Sequence, residues 1–302
     1  MLVQGSFVLQ KAMKQKYAVG AFNVFNLETV QAVIDGAGKL KSPVIMQTSE
    51  SAIQYAGLKM IEEMIAVAAS SAHIPVVMHL DHGRDIHLIR QCLNRGYTSI
   101  MFDGSLFNLK KNMRLTRKVV ALVHKSGASV EAELGRISGS EDKVLGAYGY
   151  TNPEEAKEFV EKTGVDALAI SIGTSHGMFK ERTNALRFDL LQKIRKNVKI
   201  PLVLHGASII DPQIVMKAKK YGLKIEKYQG VKEKDLRKAI RMGISKINVD
   251  TDLRLVFTAA MREFLKKHSQ SINPREALAY ARKEMQKSVE KHLKIFGSAG
   301  KG

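Results

Sequence analysis

Eight short apolar runs, each followed by a longer amphipathic stretch, constrain this chain more than any other feature of its sequence. They are AVGAFNV (18–24), PVIMQ (43–47), PVVMHL (75–80), TSIMF (98–102), SVEAEL (129–134), DALAISI (166–172), PLVLH (201–205) and ISKINV (244–249). Such alternation predicts βα units on a parallel sheet, and eight of them predict a closed (β/α)8 TIM barrel of the α/β class. The intervening stretches carry helix signals. NLETVQAVIDGAGKL puts Leu27, Val30 and Ile34 near one face, and NPEEAKEFVEKTG opens on Asn152 as N-cap and Pro153 at the first helical position before closing at Gly164. Pro43, Pro75 and Pro201 stand at strand starts, where a missing N–H does the ladder no harm. No Pro/Gly/Ser-rich linker interrupts the pattern. Residues 1–302 therefore read as one barrel domain with additional C-terminal helices.

Composition narrows the functional classes. With 45% hydrophobic and 25% charged residues and only 6 prolines, the 302-residue chain is a folded globular protein. No stretch reaches the ~18 apolar residues of a membrane span, and the start, MLVQGSFVLQKAMKQK, lacks the order of a signal peptide. A cytoplasmic protein without a membrane partner is expected. The single cysteine, Cys92, forms no internal disulfide and no cysteine-based metal site, so a metal would be held by His, Asp or Glu. Net charge is +19, and much of the excess lies between Lys217 and Arg241, where ten Lys and Arg face three acids. Aromatic residues make up 6% and tryptophan is missing, so stacking platforms for bases are scarce. The charge reads as a solvated basic surface that attracts small polyanions such as sugar phosphates, with no nucleic acid as partner.

A parallel barrel carries its chemistry at the C-terminal ends of its strands. Polar and small residues gather there: Asn23, Thr48 and Ser49, Asp81 to Gly83, Asp103 and Gly104, Glu131 and Glu133, Gly173 to Gly177, His205 to Ser208, and Asn248 to Thr251. Three histidines from distant segments, His82, His176 and His205, fall at the ends of three strands, and three imidazoles with one open position suit a catalytic zinc ion. His73, His87, His124, His268 and His292 read as satisfied or exposed side chains, and His79 stays open. On an ideal strand Asp81 and His82 point to opposite faces, so both reach the mouth only if regular pairing ends near them. The turns HGAS (205–208) and NVDT (248–251) suit phosphate binding, and Lys180 can add a point charge.

HLDHG (79–83), SVEAELG (129–135), GTSHG (173–177), LHGAS (204–208), KINVDTDLR (246–254) and FGSAGK (296–301), in this order and spacing, resemble the class II fructose-bisphosphate aldolases. The resemblance spans the chain. It implies a zinc-dependent barrel, dimeric or tetrameric, that reversibly cleaves fructose 1,6-bisphosphate into dihydroxyacetone phosphate and glyceraldehyde 3-phosphate. By position, His82, His176 and His205 would hold Zn²⁺ as a Lewis acid at the ketone, so that no lysine Schiff base is needed. Asp81 matches the base that takes the C4 hydroxyl proton, with the orienting of a histidine as its alternative. Asp103 and Glu133 match a second divalent-metal site of some relatives, or carboxylates that orient the first ligands.

Glu141, beside Asp142 in a Gly- and Ser-rich loop, matches the group that exchanges a proton with the triose carbon. The alternative is a surface loop without that role. Gly177, Lys180, Gly206, Ala207 and Ser208 match contacts to one phosphate, with Asn248, Asp250 and Thr251 around it and the sugar hydroxyls. The backbone at Gly177 and Gly206 matches a monovalent-cation site (Na⁺ or K⁺), and Asn23 and Ser49 match further phosphate-side contacts. Arg254 looks like the residue that reaches the other phosphate across a subunit interface, which implies a homodimer or homotetramer. Asp250 and Arg254 favour fructose over tagatose 1,6-bisphosphate. A tagatose-bisphosphate aldolase is the nearest alternative, followed by a metal-dependent hydrolase and a basic nucleic-acid-binding protein.

Overall fold

The structure is a computed structural model and describes residues 1–139, 149–177 and 185–302. In chain order it begins with α1 (Gly5–Gln15), β1 (Val19–Asn23), α2 (Leu27–Lys39), β2 (Val44–Ser49), α3 (Glu50–Ala56), α4 (Leu58–Ser70), β3 (Val76–Gly83) and α5 (Ile86–Asn94). It continues through β4 (Ser99–Phe102), α6 (Leu109–Lys125), β5 (Ser129–Leu134), β6 (Ser138–Gly139), α7 (Pro153–Thr163), β7 (Ala167–Ile170), β8 (Ser175–His176) and α8 (Phe188–Asn197). The last third holds β9 (Leu202–Leu204), α9 (Pro212–Lys220), α10 (Glu233–Arg241), β10 (Ile244–Val249), α11 (Thr251–Lys267) and α12 (Pro274–Phe296). Among the described residues, no helix is long and apolar enough to cross a membrane.

Eight strands close into a barrel in the order β1-β10-β9-β7-β5-β4-β3-β2, and every pair is parallel. These are the eight expected runs. Their apolar character is nearly continuous because both faces of each strand are covered. Outward residues such as Val44, Met46, Val76, Met78, Leu202 and Leu204 pack against the helical ring. Inward residues Val19, Ala21, Ile45, Val77, Met101, Ala167, Ala169 and Val203 form a separate core, which α1 caps with Val8, Leu9 and Ala12. The predicted signals of α7 hold: Asn152 accepts from the backbone N–H groups of Glu154 and Glu155, and Gly164 ends the helix in the left-handed region. A second sheet, β6 paired with β8, was not anticipated.

The C-terminal segment braces the barrel beside α2. Lys39 pairs with Glu290 on α12, and Ser42 Oγ lies 2.8 Å from Ser298 Oγ within the FGSAGK motif. The backbone N–H groups of Gly300 and Gly302 donate to Leu40 and Lys41. His292 is buried, as a satisfied side chain: its Nε2 lies 3.0 Å from Asp252 Oδ2. Asp252, at the start of α11, also accepts from the N–H groups of Ile209 and Ile210 after β9. One carboxylate thus ties two helices to the loop that follows His205.

Burial alone would raise Asp252 and lower His292, but their mutual bond and charge reverse both, leaving Asp252 below and His292 above its ordinary value. The carboxylate's contribution is complete above its unfolded value near ~4 and fades as pH falls through the lowered folded value. The imidazole's contribution is complete below ~6.5 and fades as pH rises through the raised folded value. Asp252→Asn should therefore cost about 3–5 kcal/mol near pH 6 in urea unfolding, and less at alkaline pH. A deficit independent of pH would show that His292 carries no charge in the folded state.

Candidate active site

Because side chains alternate along a strand, each barrel strand offers every second residue to the interior. At the C-terminal end these inward positions are polar: Asn23 on β1, Gln47 and Ser49 on β2, Asp81 on β3, Glu131 and Glu133 on β5, and Asn248 on β10. Register aligns several of them, with Asn23 opposite Gln47, and Ser49 opposite Asp81. His205 follows β9 directly. His82 would face outward on a regular strand. It turns in because the β3–β4 register shifts between Leu80 and Gly83 and because its φ is +51°, a left-handed conformation that few non-glycine residues adopt. The break expected at Asp81 and His82 is present. His176 is placed by β8, and Gly206 (φ +59°) lets the next loop close down: a Cβ there would lie 2.6 Å from the Ser175 carbonyl carbon.

The three imidazoles converge. Ring centroids lie 4.8 Å apart for His82 and His205, 5.4 Å for His82 and His176, and 6.0 Å for His176 and His205. One nitrogen from each lies within 4.8 Å of the others. Two carboxylates fix tautomers: His82 Nδ1 is 3.1 Å from Asp103 Oδ2, and His205 Nε2 is 2.8 Å from Glu131 Oε1. An ionised carboxylate only accepts, so those nitrogens carry the protons. His205 Nδ1 is then an acceptor 3.0 Å from His82 Nε2, and the contact is closed by a proton on His82 or by a metal ion that replaces it. Nitrogens bound to one tetrahedral zinc ion lie about 3.3 Å apart, so the donor set fits a metal ion. Burial disfavours a charged His82, but Asp81, Asp103 and Glu133 outweigh it and raise its pKa to about 10. The cluster holds at least a proton.

Asp103 is heavily engaged. Beyond His82, its oxygens accept from Arg84 Nη2 (2.7 Å) and from Ser105 Oγ (2.7 Å) and N–H (3.1 Å). Glu133, raised to about 8 by burial and by the Asp103 charge, keeps a buried oxygen without a hydrogen-bond partner among the described residues. His82, Asp103 and Glu133 do lie close enough for a second ion to share them.

Asp81 sits in a cradle of amides. Oδ2 accepts from Asn23 (3.0 Å) and Gln47 (3.1 Å), and Oδ1 from Asn248 (3.2 Å). Burial would raise its pKa, but the surrounding positive charge of His82, His205 and Lys246 prevails and holds it below the usual range. It is an ionised carboxylate, fixed in place and next to the imidazole cluster. Gln47 was missed from the sequence, where it ended an apolar run; its inward position opposite Asn23 is shown by the strand register alone.

A cavity of about 320 Å³ opens over this floor, lined by Asn23, Ser49, Asp81, His82, Asp103, Glu133, His176, Asp250 and Arg254 among others. A smaller pocket beside it gathers Gly177, Gly206, Ser208, Asn248, Asp250 and Thr251. It lies at the start of the 17-residue α11, whose N-terminal dipole favours an anion. Ala207 is buried and lines neither. Arg254 Nη1 donates to Asp250 Oδ2 at 2.8 Å, at the rim of its own chain's cavity. Glu141, Asp142 and Lys180 lie outside the described residues.

A closed parallel barrel with three imidazoles and a fixed carboxylate at its C-terminal mouth defines a metal-assisted barrel enzyme. The family model described as fructose-bisphosphate aldolase class-II matches residues 3–301, and the chain belongs to that metal-dependent family. A fructose-bisphosphate aldolase of Thermus caldophilus is 43% identical over 305 residues, covering all of both chains. Among solved structures, the YdjI aldolase of Escherichia coli K12 superposes with a TM-score of 0.82 at 32% identity, over 100% of this chain and 99% of that one. A putative fructose-1,6-bisphosphate aldolase of Coccidioides immitis gives 0.84 at 30% identity, over 99% and 97%.

If Asp103 orients His82, Asp103→Asn should weaken metal binding by about 10- to 100-fold in a chelator competition, the usual effect of losing a ligand's carboxylate partner. Unchanged affinity would exclude that role.

Proposed function

We propose that this chain, acting over residues 1–302 as one domain, catalyses the reversible aldol cleavage of fructose 1,6-bisphosphate into dihydroxyacetone phosphate and glyceraldehyde 3-phosphate. The observation that carries the reading is the amide-cradled Asp81, which meets the imidazole cluster through Asn248. The Asn248 amide nitrogen is 3.2 Å from Asp81 and 3.4 Å from both ring nitrogens of His205. His82, His176 and His205 would hold zinc, which when bound supplies Lewis acidity at the substrate ketone oxygen.

In the cleavage direction Asp81 takes the C4 hydroxyl proton, the C3–C4 bond breaks, and its electron pair stays with C3. Glu141, our reading of the loop after β5, returns a proton to that carbon; in condensation both transfers reverse. Gly177, Gly206, Ser208 and Thr251 would surround one phosphate, with Ala207 buried behind them, Lys180 as a point charge, and Asn248 and Asp250 on the sugar hydroxyls. Asn23 and Ser49 would lie beside the phosphate groups. Arg254, with its planar charged fork, suits the second phosphate, supplied to a neighbouring subunit in a homodimer or homotetramer. The names of the curated relatives and the Asp250–Arg254 pair favour fructose over tagatose bisphosphate.

A monovalent cation (Na⁺ or K⁺) at the Gly177 and Gly206 backbone and a cytoplasmic setting complete the reading. The saturated oxygens of Asp103 favour one divalent ion over two.

Asp81→Ala should keep about one zinc per subunit and lose roughly two to four orders of magnitude in triose release, as expected for a missing general base. Retained activity would remove Asp81 from the chemistry. EDTA should abolish cleavage and Zn²⁺ restore it, while borohydride with substrate leaves the enzyme active. Release of inorganic phosphate instead of trioses would identify a hydrolase.

A further inference from the structure

Below the proposed metal ligands, the barrel interior holds a charged group that the reaction does not use. Lys246, on β10, is fully buried. Its Nζ lies 2.7 Å from Glu131 Oε2 and 3.3 Å from His79 Nε2. Lysine only donates, so His79 must accept at Nε2 and carry its proton on Nδ1, which lies 2.8 Å from Ser99 Oγ. Burial and the Lys246 charge lower His79 to about 3, which agrees with a neutral ring. The other oxygen of Glu131 is the one that accepts from His205 Nε2 at 2.8 Å. His79, Lys246 and Glu131 line neither the cavity nor the smaller pocket, so none of them is a catalytic residue.

A buried carboxylate with one oxygen on a lysine and the other on an imidazole is expensive to maintain without a function for the imidazole. Here both oxygens are spent, and the geometry leaves one orientation and one tautomer for His205, with Nδ1 aimed at His82. We infer that Glu131 and Lys246 are positioning residues for the metal site: Glu131 locks the His205 ring, and Lys246 neutralises Glu131 so that this lock can sit in the dry barrel core. The inference rests on the reading of His82, His176 and His205 as metal ligands.

The test measures Zn²⁺ affinity by competition with a chromophoric chelator, together with the visible spectrum of the Co²⁺-substituted protein. Wild type is compared with Glu131→Asp, which keeps the charge but withdraws it from His205, and with the double variant Lys246→Met/Glu131→Leu, which removes the pair as a neutral unit and leaves His205 without an acceptor. Each is expected to bind Zn²⁺ about 10- to 100-fold more weakly and to shift the Co²⁺ bands. The two variants break the same bond by different routes, so whichever folds decides. A folded variant with wild-type affinity and spectrum, its only change a lower Tm of the metal-free protein, would show a plain core ion pair and overturn the inference. Failure of wild type itself to bind Zn²⁺ or Co²⁺ would instead overturn the metal-site reading.

Discussion

The close contact of His82 Nε2 and His205 Nδ1 is the interaction on which the rest of the site depends. Two imidazole nitrogens 3.0 Å apart repel unless a proton or a metal ion lies between them. Each ring is held from behind, by Asp103 and by Glu131, and each of those carboxylates is itself tied to a cation, Arg84 and Lys246. The supporting charges are therefore paired on both sides. A metal ion that replaced the proton between the rings would meet uncharged nitrogen donors and so keep its positive charge and its ability to draw electrons from a carbonyl.

That arrangement is possible because a closed barrel has an interior in which alternate residues of eight strands meet. The lower layers are filled by Val19, Ile45, Val77 and their neighbours with α1 beneath, which gives the polar layers above a rigid floor. Precision then comes from two departures from regularity. The bulge in β3 lets neighbouring Asp81 and His82 both serve the mouth, and the β6–β8 pair carries His176 over it. A left-handed φ at His82 costs of the order of 1–3 kcal/mol, and the packing on either side of it supplies the constraint that keeps it there.

The legibility of this protein in its sequence divides along the same line. The eight strands were readable because apolar runs bounded by prolines and glycines are local signals. The histidines and Asp81 were readable because they stand just after such runs. Glu131 and Lys246 lie inside the runs and Gln47 ends one, and with both strand faces buried no polar alternation marks which residues point inward. Glu131 stood in a recognised motif, yet only register shows that it faces His205 while Glu133, one inward step above, does not. Lys246 was the harder case. A lone lysine in ISKINV looks like an interruption of a strand until Glu131, 115 residues earlier, is seen 2.7 Å away.

Asp81 illustrates what an amide cradle does for a buried carboxylate. A buried carboxylate close to several positive groups tends to swing onto one of them as a fixed ion pair, and would then be lost to the substrate. Three amide donors, Asn23, Gln47 and Asn248, instead satisfy its oxygens without adding charge. The nearby positive charge keeps the carboxylate ionised, while the amides fix its position. Asn248 also touches His205, so one amide on β10 lies against both the carboxylate and the imidazole.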